Sequence, residues 1–422
     1  MDRTDLGRRA WRARSAARRT AERARTTTNL VALGIGVAVG LIVIALAGHA
    51  VLGRLGDPFA LLVALPPFAH ALASFGLRDL LARRIAAVRT GERRLVAAFG
   101  LWLGTSALLT LDVAAVAAGS VAMAIGRDHG ERRWQLGAAV VGSNVGSLLF
   151  PFSSLTNLVL VAGSGIGLAA YVGAVVPALV GAAVAGGTLL LARFVQDQDD
   201  DRDDSPAIDD PPLRYAPARG DRDGPVDQAS TLAASLAGAV AVVAVVSGLT
   251  GGSMVWPFVA GAAILVGWAV AIGRLEASSI VRTVPLGAFA VIGVAGLASG
   301  ALAAVAGLLP HPRTAGPAEI AVVALVGAGL SAALSNLPAA AFGAAWLGVA
   351  SPALIVAFLV GTNAGSMAIP NGSIATTLAR SSARSSARLR GHETGIGAYL
   401  AGAWRYAAVT GVAAVVALIA IR

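Results

Sequence analysis

The chain reads as an all-α polytopic membrane protein: about 10–12 transmembrane segments in two inverted repeats that contain broken helices or re-entrant hairpins. Three observations predict this. Only 13% of the 422 residues are charged, against about 25% in a soluble domain. Apolar runs of a length that can cross the hydrocarbon core recur along the whole chain. A polar, glycine-rich motif in the first half returns in the second.

Taken in order, residues 1–28 form a basic arm, with nine arginines against Asp2, Asp5 and Glu22. Positive segments beside spans stay inside during insertion, so the arm and the N-terminus are expected in the cytoplasm of a bacterial cell, under a multi-pass plasma-membrane protein. That topological account makes a nucleic-acid role for the arm unnecessary. The first span, 29–53, is too long for a signal-peptide core. Further apolar segments fall near 58–77, 95–126, 135–163, 166–194, 230–250, 253–273, 284–309, 318–350, 352–379 and 397–421. The runs at 95–126 and 318–350 are longer than one span needs and carry polar or helix-breaking residues near their middles. They read as broken helices or hairpins. Between 195 and 229 the composition flips to eleven aspartates, four arginines and five prolines. Such a segment cannot bury enough apolar surface to fold and is expected to be a flexible linker. It divides membrane half 1 (29–194) from membrane half 2 (230–422).

The halves carry matching sequence. Val141-Gly142-Ser143-Asn144-Val145-Gly146-Ser147 through Pro151 aligns with Val360-Gly361-Thr362-Asn363-Ala364-Gly365-Ser366 through Pro370, at an offset of 219 residues. Ser154-Leu155 continues into Ser373-Ile374, and Ser106–Thr110 matches Ser331–Ser335 at an offset of 225. The loop 78–94 holds six arginines whereas its counterpart 310–317 holds only Arg313. Conversely, Arg380, Arg384, Arg388 and Arg390 follow the second motif, and the stretch 161–167 after the first is uncharged. The copies are therefore expected to be inverted, the construction of secondary transporters.

Function classes fall away on composition. Cysteine is absent, which removes thiol chemistry, and all 33 basic residues are arginine, which removes a P-loop lysine. No HExxH, paired intramembrane carboxylates or Ser-His-Asp grouping supports an enzyme. No metal site, cofactor or nucleic-acid partner is expected. The partners are a small solute, a coupling ion and the lipid bilayer; a homodimer or a separate ATPase subunit is compatible with the sequence.

The candidate site residues follow from the broken runs. Asp112 is the sharpest, an acid deep within a span, where a charged carboxylate is costly and serves as a proton carrier or cation ligand. Asn144, Ser147, Ser154, Asn157, Asn336, Asn363, Ser366, Ser373 and Thr376 offer neutral donors and acceptors for a solute. Gly142, Gly146, Gly361, Gly365 and Gly372, with Pro151, Pro338 and Pro370, shape the tip backbone. The glycines fit equally a site where backbone approaches a ligand and a helix–helix contact made by small residues.

At these residues the chain resembles the arsenite/antimonite permease (ArsB-type) family of the ion-transporter superfamily. That family's S-A-L-F-A-N-D-G corresponds to Ser106-Ala107-Leu108-Leu109-Thr110-Leu111-Asp112-Val113, keeping the aspartate. Its N-N-M-P-T becomes Ser335-Asn336-Leu337-Pro338-Ala339, and its S-N-L-V-N becomes Ser153-Ser154-Leu155-Thr156-Asn157. Its D-L-G-P tip becomes Asn363-Ala364-Gly365-Ser366, so two acids of the family pattern stand here as Asn144 and Asn363. The resemblance implies proton-coupled export of arsenite or antimonite across the plasma membrane, with Asp112 carrying the proton. The alternative is an anion or dicarboxylate carrier, or a sodium/proton antiporter, of the same superfamily.

Overall fold

The structure, a computed structural model, describes residues 56–57, 60–88, 90–126, 129–204, 228–283, 308–312, 314–348, 350–369 and 396–421. The basic arm, the span expected at 29–53, the arginines at 380–390 and the site candidates Pro370, Gly372, Ser373 and Thr376 lie outside these residues.

Every regular element among the described residues is helical. Helix α1 (Ala60–Ser74) and α2 (Leu77–Ala86) meet at a 62° bend. Gly76 makes the turn at φ 85°, which costs a residue without a Cβ little. Helix α2 occupies much of the stretch expected as a loop. It folds because Leu81, Ala82 and Ile85 give it a buried stripe while Arg83 and Arg84 stay exposed.

The first half continues through α3 (Gly91–Leu109), α4 (Leu111–Ile125), α5 (His129–Gly146), a 3-10 turn at Pro151–Ser153, α6 (Leu155–Ser164) and α7 (Leu168–Asp204). The second half holds α8 (Gln228–Leu249), α9 (Trp256–Ala271), α10 (Ala277–Thr283), α11 (Pro317–Leu334), α12 (Asn336–Leu347), α13 (Pro352–Ala368) and α14 (Ile396–Ala420). Helix α7 runs ten residues into the segment expected as a linker, to Asp204. An established helix adds a hydrogen bond for each further residue it fixes, so it outlasts the apolar part of its sequence.

Among the described residues four helices are long and apolar enough to cross a membrane: Leu168–Asp197, Gln228–Leu249, Pro317–Leu334 and Ala403–Ala420; the bent α1–α2 pair makes up to five. The difference from 10–12 expected segments has two sources. Both overlong runs resolve into two shorter helices each, and other predicted spans lie outside the described residues.

Both runs break at residues that the internal alignment pairs. Thr110 separates α3 from α4 at φ 92° and ψ 154°, and Ser335 separates α11 from α12 at φ 75° and ψ 166°. They are the two positive-φ residues other than glycine among the described residues. Side chains rarely adopt this region, and each such residue stores about 1–3 kcal/mol of strain.

The glycines next to the breaks are packing residues. A Cβ on Gly142 would come within 2.7 Å of the Phe99 carbonyl oxygen, and one on Gly146 within 2.1 Å of the Leu103 carbonyl oxygen. In the other half, a Cβ on Gly361 would lie 1.9 Å from the Ala324 carbonyl oxygen and one on Gly365 2.2 Å from that of Ala328. Ala324 and Ala328 stand 225 residues after Phe99 and Leu103. Helix α5 therefore lies on α3 as α13 lies on α11, backbone to backbone, the approach that small residues permit between membrane helices. All four glycines are inside helices rather than in unwound tips.

Two apolar clusters organise the rest. The larger joins α2 to α7, with Leu62 of α1, to α11–α14. The smaller joins α1, α8 and α9, and Val113, Phe152 and Leu158 of the first half enter it. Phe152 carries that contact, its ring 4.9 Å from Phe258 and 5.2 Å from Phe150.

Candidate functional site

The site is built where α5 loses its helical bonding. After Gly146 the chain turns through Ser147–Phe150, makes the turn at Pro151–Ser153, and restarts as α6 with Ser154 as its extended N-cap. Pro151 suits the first position of that turn because it lacks the N–H that would have no partner there. Pro338, third residue of α12, is placed by the same logic.

Polar side chains fasten this tip to the break at Thr110. Ser106 Oγ donates to the Ser143 carbonyl (2.5 Å) and Ser153 Oγ donates to the Ala107 carbonyl (2.6 Å). The start of α6 is thereby tied to the last turn of α3, just before the break from which α4 starts. The N-termini of α4 and α6 each present first-turn N–H groups without intrahelical partners and the positive end of a helix dipole. Thr110 Oγ1 accepts one of them, from Val113 N at 3.4 Å. Asp112 is the second residue of α4. Ser154, Thr156 and Asn157, at the start of α6, are all buried.

The tip carbonyls are held from the other side. Asn157 Nδ2 donates to the Ser147 carbonyl (2.6 Å), and the Tyr171 hydroxyl of α7 donates to that of Leu148. Tyr171 was not among the residues singled out by sequence, although a lone tyrosine in an apolar run is a usable signal. Asn157 Oδ1 has no partner.

The duplicated asparagines sit lower, within α5 and α13, and they meet. Asn363 Nδ2 donates to the Asn144 carbonyl oxygen at 3.5 Å, and both side chains are buried. Ser147 and Ser366 each donate to the carbonyl of the asparagine three residues earlier, at 2.8 Å and 3.0 Å. A small cavity opens here between α5, α7, α13 and α14. Asn144, Asn363, Leu148, Met367 and Thr410 line it, among others. Leu148 and Met367 are another pair at the 219-residue offset. Thr410, on α14, was also missed by sequence reasoning, since no motif distinguishes it. Asn336 is brought to none of these groups: it opens α12, 7% exposed, and no hydrogen bond joins it to the cavity among the described residues.

Among the described residues no cluster of acidic, histidine or cysteine side chains could hold a metal ion. The lining of the cavity is neutral throughout, amide, hydroxyl and hydrocarbon.

A family model described as CitMHS, citrate transporter, matches residues 20–361. The chain belongs to the CitMHS family. Within the ion-transporter superfamily this is the citrate transporter branch, where the sequence motifs had pointed to the arsenite/antimonite permeases. A CitMHS protein is a secondary transporter working in a lipid bilayer on a small solute. The YdaH transporter of Alcanivorax borkumensis, whose crystal structure is described as revealing an unusual topology, shares the fold. It is 16% identical with a TM-score of 0.50, over 88% of this chain and 87% of that one. No curated protein matches the chain. Family member and fold neighbour alike are transporters rather than enzymes.

Proposed function

We propose that this CitMHS protein is a secondary carrier of small carboxylate anions in a bacterial plasma membrane, with its N-terminus in the cytoplasm and its halves inverted. The observation that carries the reading is the buried break of the first half, where α4 restarts after Thr110 and α6 after Ser154, and the Ser153–Ala107 bond ties the start of α6 to the last turn of α3. Two positive dipole ends and their free N–H groups suit carboxylate oxygens without any basic side chain. Ser154 and Thr156 add hydroxyl donors from the first turn of α6, while the Asn157 amide N–H groups are held by Ser147 O and the Tyr171 hydroxyl.

Asp112 gives the coupling. A carboxyl group within an apolar run is costly when charged, so Asp112, second residue of α4, is the group in this half suited to take up and release a proton. Solute and proton would then enter together and leave together as one half rocks against the other. No ATPase subunit is needed for such a cycle.

Export of arsenite or antimonite is the second reading. The neutral side chains at the start of α6 favour it, because a neutral trihydroxide is well served by hydroxyl and amide groups that donate or accept.

Binding separates the two. Thermal unfolding of the purified full chain is followed with citrate, a dicarboxylate, phosphate or arsenite added. A ligand at about one hundred times its Kd stabilises by about 2.7 kcal/mol. Citrate or a dicarboxylate should raise the melting temperature, and Ser154→Ala should weaken that effect several-fold. Stabilisation by arsenite alone would overturn the carboxylate reading.

A further inference from the structure

The cavity between the two asparagines has a polarity opposite to that of the tip beside it. Asn144 lies in the last turn of α5, which ends at Gly146, and Asn363 lies near the end of α13, which closes at Ala368. Both helices therefore bring their C-terminal, partially negative ends to this place.

The side chains act in the same sense. Asn144 Nδ2 is committed to the Val140 carbonyl at 2.8 Å, and Asn363 Nδ2 is directed to the Asn144 carbonyl. A carbonyl can only accept, so these bonds fix which end of each amide is oxygen. Asn144 Oδ1 and Asn363 Oδ1 are left buried with no donor facing them, on residues only 3% and 5% exposed. Thr410 Oγ1 spends its proton on the Tyr406 carbonyl at 2.6 Å and has lone pairs to spare.

The cavity thus offers acceptors and two negative helix ends, walled by Leu148, Met367 and Ala414. An unpaired buried amide oxygen is costly, and here two of them line one space. An anion would be repelled from this space, and a divalent cation would lack carboxylate ligands. A proton would find no titratable group among the lining residues. The space accommodates about one water-sized particle, far less than a carboxylate solute.

We infer that the Asn144–Asn363 cavity is a binding site for one sodium-sized monovalent cation, distinct from the solute tip and on the seam between the halves. Its ligands are the Oδ1 atoms of both asparagines, with Thr410 Oγ1 beside them. Each half supplies one amide, so an ion here ties the halves together, and its entry or loss changes how firmly they are joined. The solute-site residues Asn144 and Asn363 of the sequence reading are reassigned to the coupling ion. A transported cation can share the driving role with a proton on Asp112.

The test needs no solute, so its outcome is independent of the carboxylate reading. Binding of radiolabelled sodium and the melting temperature of the purified full chain are measured in sodium, potassium or choline chloride at equal ionic strength. Saturable sodium binding and a sodium-specific rise in melting temperature are expected. Asn144→Ala and Asn363→Ala should each weaken sodium binding by roughly tenfold or more. Asn363→Asp, which keeps the size of the side chain, should bind sodium more tightly when its new carboxylate is ionised, and it covers failure of the alanine variants to fold. Equal melting temperatures in sodium and choline would mean a water occupies the cavity and would overturn the proposal. So would sodium binding that persists unchanged in all three variants.

Discussion

The two halves share a backbone at their broken helices but not the bonds that hold it. In the first half Ser106 donates to Ser143 O across the α3–α5 contact, and Thr110 Oγ1 caps α4. In the second half the counterpart Ser331 Oγ is buried without a partner, and Ser335 makes no side-chain cap. Thr362, the counterpart of Ser143, bonds only to Leu359 O of its own helix. Both breaks store φ strain, yet among the described residues only the first is tied down by polar side chains. The same fold can therefore be stiff on one side and yielding on the other, and the yielding side is where a transporter can change shape at least cost.

Substitutions can test how far the likeness extends and where it stops. The largest effect is expected where the halves agree. Gly361→Ala and Gly146→Ala each push a Cβ to about 2 Å from a backbone carbonyl oxygen. Each should destabilise by about 3 kcal/mol or more, read as loss of folded protein in detergent. Gly142→Ala, at 2.7 Å, should be milder.

The next effect is asymmetric. Ser106→Ala removes a buried bond while the Ser143 carbonyl keeps its bond from Ser147 N, at about 0.5–1.5 kcal/mol. Ser331→Ala removes an orphan instead and should leave the melting temperature unchanged or raised. Equal losses in the two variants would contradict the difference between the halves.

A smaller effect concerns strain. Ser335→Gly should stabilise, because glycine accepts positive φ freely and no cap is lost, by about 1 kcal/mol. Thr110→Gly gains the same relief but loses the contact to Val113 N, so its net change should be smaller. Matched melting curves of the two variants would read this difference.

Much of this was legible in the sequence. Small and polar residues in the middle of overlong apolar runs marked both breaks, and the 225-residue offset paired Thr110 with Ser335 before any geometry was known. The positive φ itself was not legible, since a threonine does not advertise a conformation that its own Cβ opposes. The roles of Gly142 and Gly361 stayed open, because a glycine facing a ligand and one facing a carbonyl are the same letter. Tyr171 and Thr410 act through α7 and α14, and which residues of an apolar helix face a distant tip depends on packing that no motif records. The bundle of α1, α8 and α9 was equally hidden, as helices apolar all round carry no stripe to say what they touch.

Transport by the reconstituted protein tests the central claim most directly. Proteoliposomes holding the purified full chain are given radiolabelled citrate with an inward proton gradient, an inward sodium gradient or neither, and Asp112→Asn is run alongside. The account predicts accumulation of carboxylate against its own gradient under an imposed ion gradient, with the proton-driven part lost in Asp112→Asn. Carboxylate that never exceeds equilibration under either gradient, while arsenite is accumulated, would contradict it.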